Sequence, residues 1–478
     1  MSELEAYIAQ LNQHPNLAAL IAPLVTIIEQ QTLRIAQLEA ELDQLRAQVN
    51  QNSQNSHKPP SSDGYRKTPA IPKTKTGPRG GQPGHRGDTL TMSAYPDTLD
   101  EQRPERCAGC GAPLLGLEAE TLERRQVFDL PQPRLVVHEY RRPVCVCPGC
   151  GHRNQEAFPV SVTAPVQYGA GVSALATLLH NDYHVPVAKV SRLFADLFGY
   201  RLNEATIQAA NRRTVSALAP SQVAIDAHLA QAEVAHADET GLRCAGRLHW
   251  LHVLSTPALS TYFVHPKRGR LALESSLSVL GRFSGCLVHD CWGSYFVVHS
   301  GVHGLCNAHL IRELRALSEQ GAAWAEALIA VLLEGHRYKA AEGVVPAPVY
   351  RGLKQRYFAL LRQGLRAHPM PAQHSGRGRK KRGKARSLIR RLIRYHAAVW
   401  RFAHDKSVPF TNNQAERDLR MAKVKQKVNG GFRTEEGARV FAQVRGFCST
   451  ARKQGKQVFK ELCRALQEPD YLLVPFPT

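Results

Sequence analysis

No stretch of this sequence approaches the roughly 18 consecutive apolar residues that a membrane-spanning helix needs, which excludes an integral helical membrane protein. The opening MSELEAYIAQ has neither the basic stretch nor the apolar core of a secretory signal, so a soluble, cytoplasmic protein is expected. Acidic residues are scarce. Forty Asp and Glu stand against 62 Lys and Arg, a formal charge of +22. That imbalance favours a polyanionic partner, because releasing counterions from a phosphate backbone drives association. A basic protein with no nucleic-acid role is the plain alternative. A membrane surface is a weaker reading, since no basic amphipathic helix with bulky apolar anchors is evident. Eleven cysteines, an odd number without a secretory signal, give no reason to expect a disulfide framework.

What is present falls into segments. The 478 residues, 43 % hydrophobic and 21 % charged, have room for two or three domains. From Leu24 to Val49 a seven-residue apolar repeat runs through Leu24, Ile28, Ile35, Leu38, Leu42, Leu45 and Val49, with Gln31 as its polar exception. This predicts a coiled coil that pairs protomers within residues 1–50; an amphipathic helix packed on its own chain is the alternative. Residues 51–98, rich in Pro, Gly, Ser and basic side chains, read as a disordered basic linker. Residues 99–160 form a small module with strand-like alternation in LERRQVFDLPQPRLVVHEYRRPVCV. Residues 161–230 read as a helical DNA-binding domain, in which VSRLFADLFGYRLNEATIQAANRR is compatible with helix-turn-helix or with ordinary helix packing. The strand-rich runs EVAHADET, LHWLHVLST, STYFVHP and GCLVHDCW follow, within a domain placed at 231–435, and 436–478 reads as a C-terminal helical segment. Ten of the eighteen residues from Arg377 to Arg394 are Lys or Arg.

The cysteines carry the most specific pattern. Cys107-x-x-Cys110 and Cys147-x-x-Cys150 are two chelating pairs, each followed by glycine, and four thiolates close a tetrahedral structural zinc site. Cys145 is a competing ligand. Cys306-x-x-His309 lacks two partners for zinc, so His309 and Arg312 are read as phosphate-positioning groups, against simple capping and packing.

Three carboxylates are candidates for metal chemistry. Asp238 ends the apolar run VAHAD and Asp290 ends CLVHD, so each is expected at the carboxyl end of a strand, where a sheet presents side chains to a ligand. Phosphodiester chemistry uses two divalent ions about 3.5–4 Å apart, and two or three acids from separate elements suffice to hold them. A turn or helix cap would place such aspartates equally well. In TNNQAERDLRMAKVKQK, Asn413 fits a helix N-cap with Glu416 at the capping-box position. Arg420, Lys423 and Lys427 recur from Glu416 at helical spacing, a basic stripe beside one acid. Trp250, Trp292 and Tyr295 read as core aromatics rather than base-stacking groups.

The ordered set HADET, WLHVLST, VHDCWGSY, LCNAHLIREL and TNNQAERDLRMAKVKQKVNGGFRT resembles the catalytic core of transposases of the insertion sequence sixty-six family. The heptad helix, the NSQNSHKPPSSDG segment and the four-cysteine module are similar to that family's N-terminal region in the same order, so the likeness covers roughly residues 20–470. It implies an α/β ribonuclease H-like core with a helical insertion at about 320–400, inside the 125 residues between Asp290 and Glu416. It implies an acidic triad of Asp238, Asp290 and Glu416 holding two Mg²⁺ or Mn²⁺ ions, with the adjacent acids Glu239 and Asp418 ranked below. DNA is the implied partner, contacted by His309, Arg312, Arg417, Arg420, Lys423 and Lys427. Small accessory proteins are further candidate partners. The expected activity in a bacterial cytoplasm is cleavage at transposon ends and strand transfer into target DNA. A structure-specific nuclease of the same fold and a non-catalytic zinc-containing DNA-binding regulator are the alternatives.

Overall fold

A computed structural model describes residues 15–49, 90–118, 122–370 and 383–473. Most of the basic linker, and the Arg377–Arg382 part of the basic run, lie outside the described residues. The chain separates into two compact units, one drawn from Pro69–Pro159 with Ser191–Leu202 and the other holding Val160–Val190 and Asn203 onward.

Helix α1, Pro15–Val49, is longer than the heptad run and carries Pro23 within it. Leu24, Ile28, Ile35, Leu38, Leu42, Leu45 and Val49 are all exposed in the single chain. Among its described residues the cysteine module has two strands, β1 (Cys145–Val146) and β2 (Arg153–Asn154), as an antiparallel pair. The longer strands read from LERRQVFDLPQPRLVV are not formed. Pro131 and Pro133 remove ladder donors, and Val127, Leu130 and Val137 stand exposed without a partner strand.

Helices α2 (Ala170–Thr177), α3 (Val187–Phe198) and α4 (Glu204–Ala230) make up the next stretch. Asn203 caps α4 by accepting from the Ala205 N–H at 2.9 Å. At 27 residues α4 is no short recognition helix. A five-stranded sheet follows: β3 (Val234–Cys244), β4 (Arg247–Ser255), β5 (Ser260–His265), β6 (Cys286–His289) and β7 (His303–Leu305). Its order is β5-β4-β3-β6-β7. The first three form an antiparallel meander, while β6 and β7 run parallel to β3. Ala245 and Gly246, both at positive φ, make the two-residue turn that closes the β3–β4 hairpin. Gly285 lies so close to the Ala232 and Glu233 carbonyls that any β-carbon would collide with them.

Between β6 and β7 lies α5 (Gly293–Val298). After β7 come α6 (Asn307–Ser318), α7 (Ala323–Glu342), α8 (Ala347–Ala367) and α9 (Lys384–Arg394). These helices share one core with Cys286 and Val288 of β6, built on Trp324, Leu328, Tyr357, Ile389, Leu392 and Trp400. The basic α9 buries Leu388, Ile389 and Leu392 while Arg390 and Arg394 stay exposed. Beyond two short helices, His396–Val399 and Arg401–His404, come α10 (Asn413–Asn429), α11 (Glu435–Lys453) and α12 (Val458–Gln467). The other sheet face, through Ala235, Ala237 and Leu287, packs on α4, α11 and α12. Residues 436–473 thus share that core with 161–230. Asp182, buried in a π-turn (Leu178–Asp182), is bound by Arg445 and Arg452 of α11. Among the described residues no helix is long and apolar enough to cross a membrane.

Candidate active site

Strand register determines where the two aspartates emerge. His236 pairs with Val288 across the parallel β3–β6 ladder, and His289 pairs with Leu305 across β6–β7. Carried forward, the same register sets Asp238 beside Asp290, and Asp290 beside Cys306, whose N–H donates to the His289 carbonyl at 2.9 Å. These three residues therefore lie just beyond the last parallel-paired positions of three neighbouring strands. Asp238 does not end its strand, as the apolar run predicts. β3 continues to Cys244 as a hairpin arm, and only its parallel ladder with β6 stops before Asp238.

The turn after Asp290 is tightly held. Cys291 sits at φ +70°, a left-handed conformation uncommon for a residue with a side chain. Its N–H donates to His289 Nδ1 at 3.2 Å, and the Trp292 N–H donates to Asp290 Oδ1 at 3.1 Å. With Nδ1 accepting, His289 Nε2 carries the proton and donates to His303 Nδ1 at 3.0 Å. His303 Nε2 in turn donates to the His299 carbonyl. Burial keeps both rings neutral, pushing His289 well below its usual range and His303 to about 4.

Glu416 arrives from the opposite direction, on the first turn of α10. Asn412, not Asn413, is the cap residue, and its side chain makes no capping bond. The capping-box alternative is therefore not realised. Instead Asn412 Nδ2 donates to the Ala237 carbonyl at 2.9 Å and Oδ1 meets His236 Nδ1 at 2.9 Å. This pins the start of α10 to β3 just before Asp238. The chain also closes on itself here: the Asn307 N–H donates to the Phe410 carbonyl at 3.0 Å, and the Asn412 N–H to Cys306 Sγ at 3.1 Å.

Burial and charge act together on Asp238. Burial raises the Asp238 carboxyl well above the usual carboxylate range, and the charges of Glu239, Asp290 and Glu416 raise it further. The Glu239 N–H, donating to Asp238 Oδ1 at 2.8 Å, opposes this only in part. The two rival acids are engaged elsewhere. Glu239 is bound by Arg268 Nε at 2.8 Å and by the Tyr295 hydroxyl. Asp418 is held by Lys453 Nζ at 2.8 Å and Gln414 Nε2 at 3.1 Å.

Residues 165–440, more than half the chain, match the Transposase IS66 family. The chain belongs to that family. Residues 104–151 match the zinc-finger binding domain of transposase IS66, and residues 2–91 match a family of unknown function. No curated protein matches the chain.

In this transposase-family chain the zinc-finger segment folds as two knuckles. The Gly111 N–H donates to the Cys107 carbonyl and the Gly151 N–H to the Cys147 carbonyl, each at 2.9 Å. Gly111 and Gly151 take positive φ, +77° and +71°, to close those turns. Backbone N–H groups of Cys110 and Gly109 lower the Cys107 thiol, and those of Cys150 and Gly149 lower Cys147, which favours the thiolates that bind zinc. Each pair is shaped for a metal, and the family match supports structural zinc. The knuckle thiols do not gather into a set of three or more ligand atoms within 4.8 Å of one another. Among the described residues the one set that does is Cys306, His309 and Glu416. Burial and the loss of hydration push the Cys306 thiol up to about 11.

The basic residues divide. Arg417, Arg420 and Lys427 are exposed along α10, whereas Lys423 is half-buried and donates to the Gly241 carbonyl at 3.0 Å, bracing α10 against β3. Arg312 is half-buried on α6 and His309 Nδ1 lies 3.6 Å from Glu416 Oε1. Sequence reasoning missed Arg268. Its guanidinium lies 4.9 Å from the Trp250 ring and 4.5 Å from the Trp292 ring while gripping Glu239. These two tryptophans, half-buried, hold an arginine; Tyr295 alone is fully buried. Nothing in the run HPKRGR marks Arg268 from its neighbours.

Proposed function

We propose that the chain cuts DNA at transposon ends and joins the freed end to target DNA, with Asp238, Asp290 and Glu416 as its metal-binding acids. One arrangement supports this reading: the parallel register carries Asp238 and Asp290 to neighbouring positions, and the Asn412–Ala237 hydrogen bond pins the first turn of α10, which bears Glu416, to β3 just before Asp238. Glu416 Oε1 is buried without a hydrogen bond, 3.6 Å from His309 Nδ1. Such a cluster fits divalent cations. Two Mg²⁺ or Mn²⁺ ions there would supply activation of the attacking oxygen and neutralisation of the leaving one. The strand order, an antiparallel meander with two further strands parallel to its first, supports a ribonuclease H-like core.

The chain's own residues do the rest. Asp238 and Asp290 face the scissile phosphate from the sheet, and Glu416 faces it from α10. Arg417, Arg420 and Lys427 hold backbone phosphates, which positions DNA without reading its sequence. His309 and Arg312 line the α6 side, and Lys423 steadies the helix rather than touching DNA. The zinc knuckles and the helices of 161–230 recognise the terminal repeats. The exposed apolar seam of α1 pairs two protomers, so that both ends are held together.

A strand-transfer assay with an end duplex and Mg²⁺ tests this. Wild type yields joined product, and Asp238→Asn binds the duplex but yields neither cut nor joined DNA. Cutting without joining would make it a nuclease. Undiminished function in Asp238→Asn would leave a non-catalytic DNA binder.

A further inference from the structure

Cys306 and His309 open α6 as a Cys-x-x-His pair, with Cys306 as the cap residue. A pair alone holds a metal poorly, but the fold brings a third donor, Glu416, from more than a hundred residues away. One ligand atom from each of the three lies within 4.8 Å of the others. His309 Nδ1 and Glu416 Oε1 are 3.6 Å apart, too far for a good hydrogen bond. That separation matches the edge of a tetrahedron about a zinc ion, about 3.3–3.7 Å for ligands at about 2.0–2.3 Å. Behind Cys306, the Asn412 N–H donates to Sγ at 3.1 Å, the kind of outer contact that steadies a thiolate ligand.

We propose that Cys306, His309 and Glu416 form a binding site for a borderline-soft divalent cation, zinc above all, with one coordination position left open. Thiolate, imidazole and carboxylate together select zinc over magnesium, which prefers oxygen donors and octahedral geometry. No fourth His, Cys, Asp or Glu joins the set among the described residues, so the site has the open form rather than the closed four-ligand form. The open position suits water or a phosphate oxygen. The site shares Glu416 with the proposed reaction but does not rest on it, because zinc content can be read without any DNA.

The test uses the full chain, saturated with Zn²⁺, freed of loosely held metal and assayed for zinc per chain by elemental analysis. Wild type should hold one more zinc than Cys306→Ala, His309→Ala or Glu416→Gln. Cys147→Ser with Cys150→Ser should lose the knuckle zinc and keep this one. With Co²⁺ in place of zinc, the thiolate-to-cobalt absorption of wild type should fall in Cys306→Ala. Circular dichroism confirms that each variant is folded; if Cys306→Ala unfolds, His309→Ala and Glu416→Gln carry the test. Equal zinc content in wild type and the folded variants overturns the site. Stoichiometric displacement of this zinc by millimolar Mg²⁺ overturns the assignment to a soft cation.

Discussion

Replacing Asn412 by alanine should damage both stability and catalysis, and the structure gives the size of each effect. Asn412 is fully buried. Because its Nδ2 donates to the Ala237 carbonyl, its Oδ1 must be the acceptor facing His236. His236 therefore carries its proton on Nδ1, and burial, which pulls this ring's affinity for a second proton down, keeps it neutral. Alanine leaves a carbonyl and an imidazole N–H unpaired in the interior. At about 1–3 kcal/mol for each orphaned group, the loss should total about 2–6 kcal/mol. Asn412→Asp should be no better, since its second oxygen would face the Ala237 carbonyl. Urea unfolding followed by two probes measures the stability change. Glu416 lies one helical turn beyond this anchor, and a displacement of about 1 Å in a reacting constellation costs on the order of a hundredfold in rate. Single-turnover cleavage, at a temperature where the variant stays folded, should therefore fall by about that factor while DNA binding holds. A stability loss below about 0.5 kcal/mol would refute the hydrogen-bond argument. A fully destabilised variant that still cuts at the wild-type rate would refute the positioning argument.

Two further outcomes follow from charge. Asp238 has its carboxyl raised in the folded chain, so folding holds a proton that the unfolded chain releases near pH 4. Metal-free wild type should therefore lose stability relative to Asp238→Asn as pH rises past that value, and Mg²⁺ should raise the melting temperature of wild type but not of the variant. Lys425 is buried, with burial pulling its ammonium down to about 8 against a usual 10.5, and its neighbours are the His180 carbonyl and the Phe432 and Phe441 rings. Since the unfolded chain binds more protons between those two values, stability should climb as pH rises through that window, and Lys425→Met should melt higher at pH 7 with an advantage that shrinks toward pH 10.5.

Local patterns were legible and distant ones were not. The runs VAHAD, LHWLHVLS and CLVH announced β3, β4 and β6, because apolar and β-branched residues at strand spacing reflect burial directly. The extent of β3 was hidden, since the polar run Asp238-Glu239-Thr240 interrupts the apolar pattern and the strand's partner beyond it is the hairpin arm β4. The cap at Asn412 was misplaced by one residue because two asparagines stand side by side, and only a tertiary contact to Ala237 decides between them. That Glu239 and Asp418 are committed to Arg268 and Lys453 is likewise invisible along the chain. The chelating spacing of the knuckles could be read from four residues. The gathering of Glu416 onto Cys306 and His309 could not.

The excursion from Asn307 to Phe410 leaves the sheet and returns to it at one place, stitched there by the Asn307–Phe410 and Cys306–Asn412 hydrogen bonds. A detour whose two ends already meet can lengthen or shorten at its outer turns without stretching anything between them. Distance along the chain from Asp290 to Glu416 is then no guide to their separation in space. Relatives with quite different spacings between these two acids would be expected to keep one and the same arrangement of them.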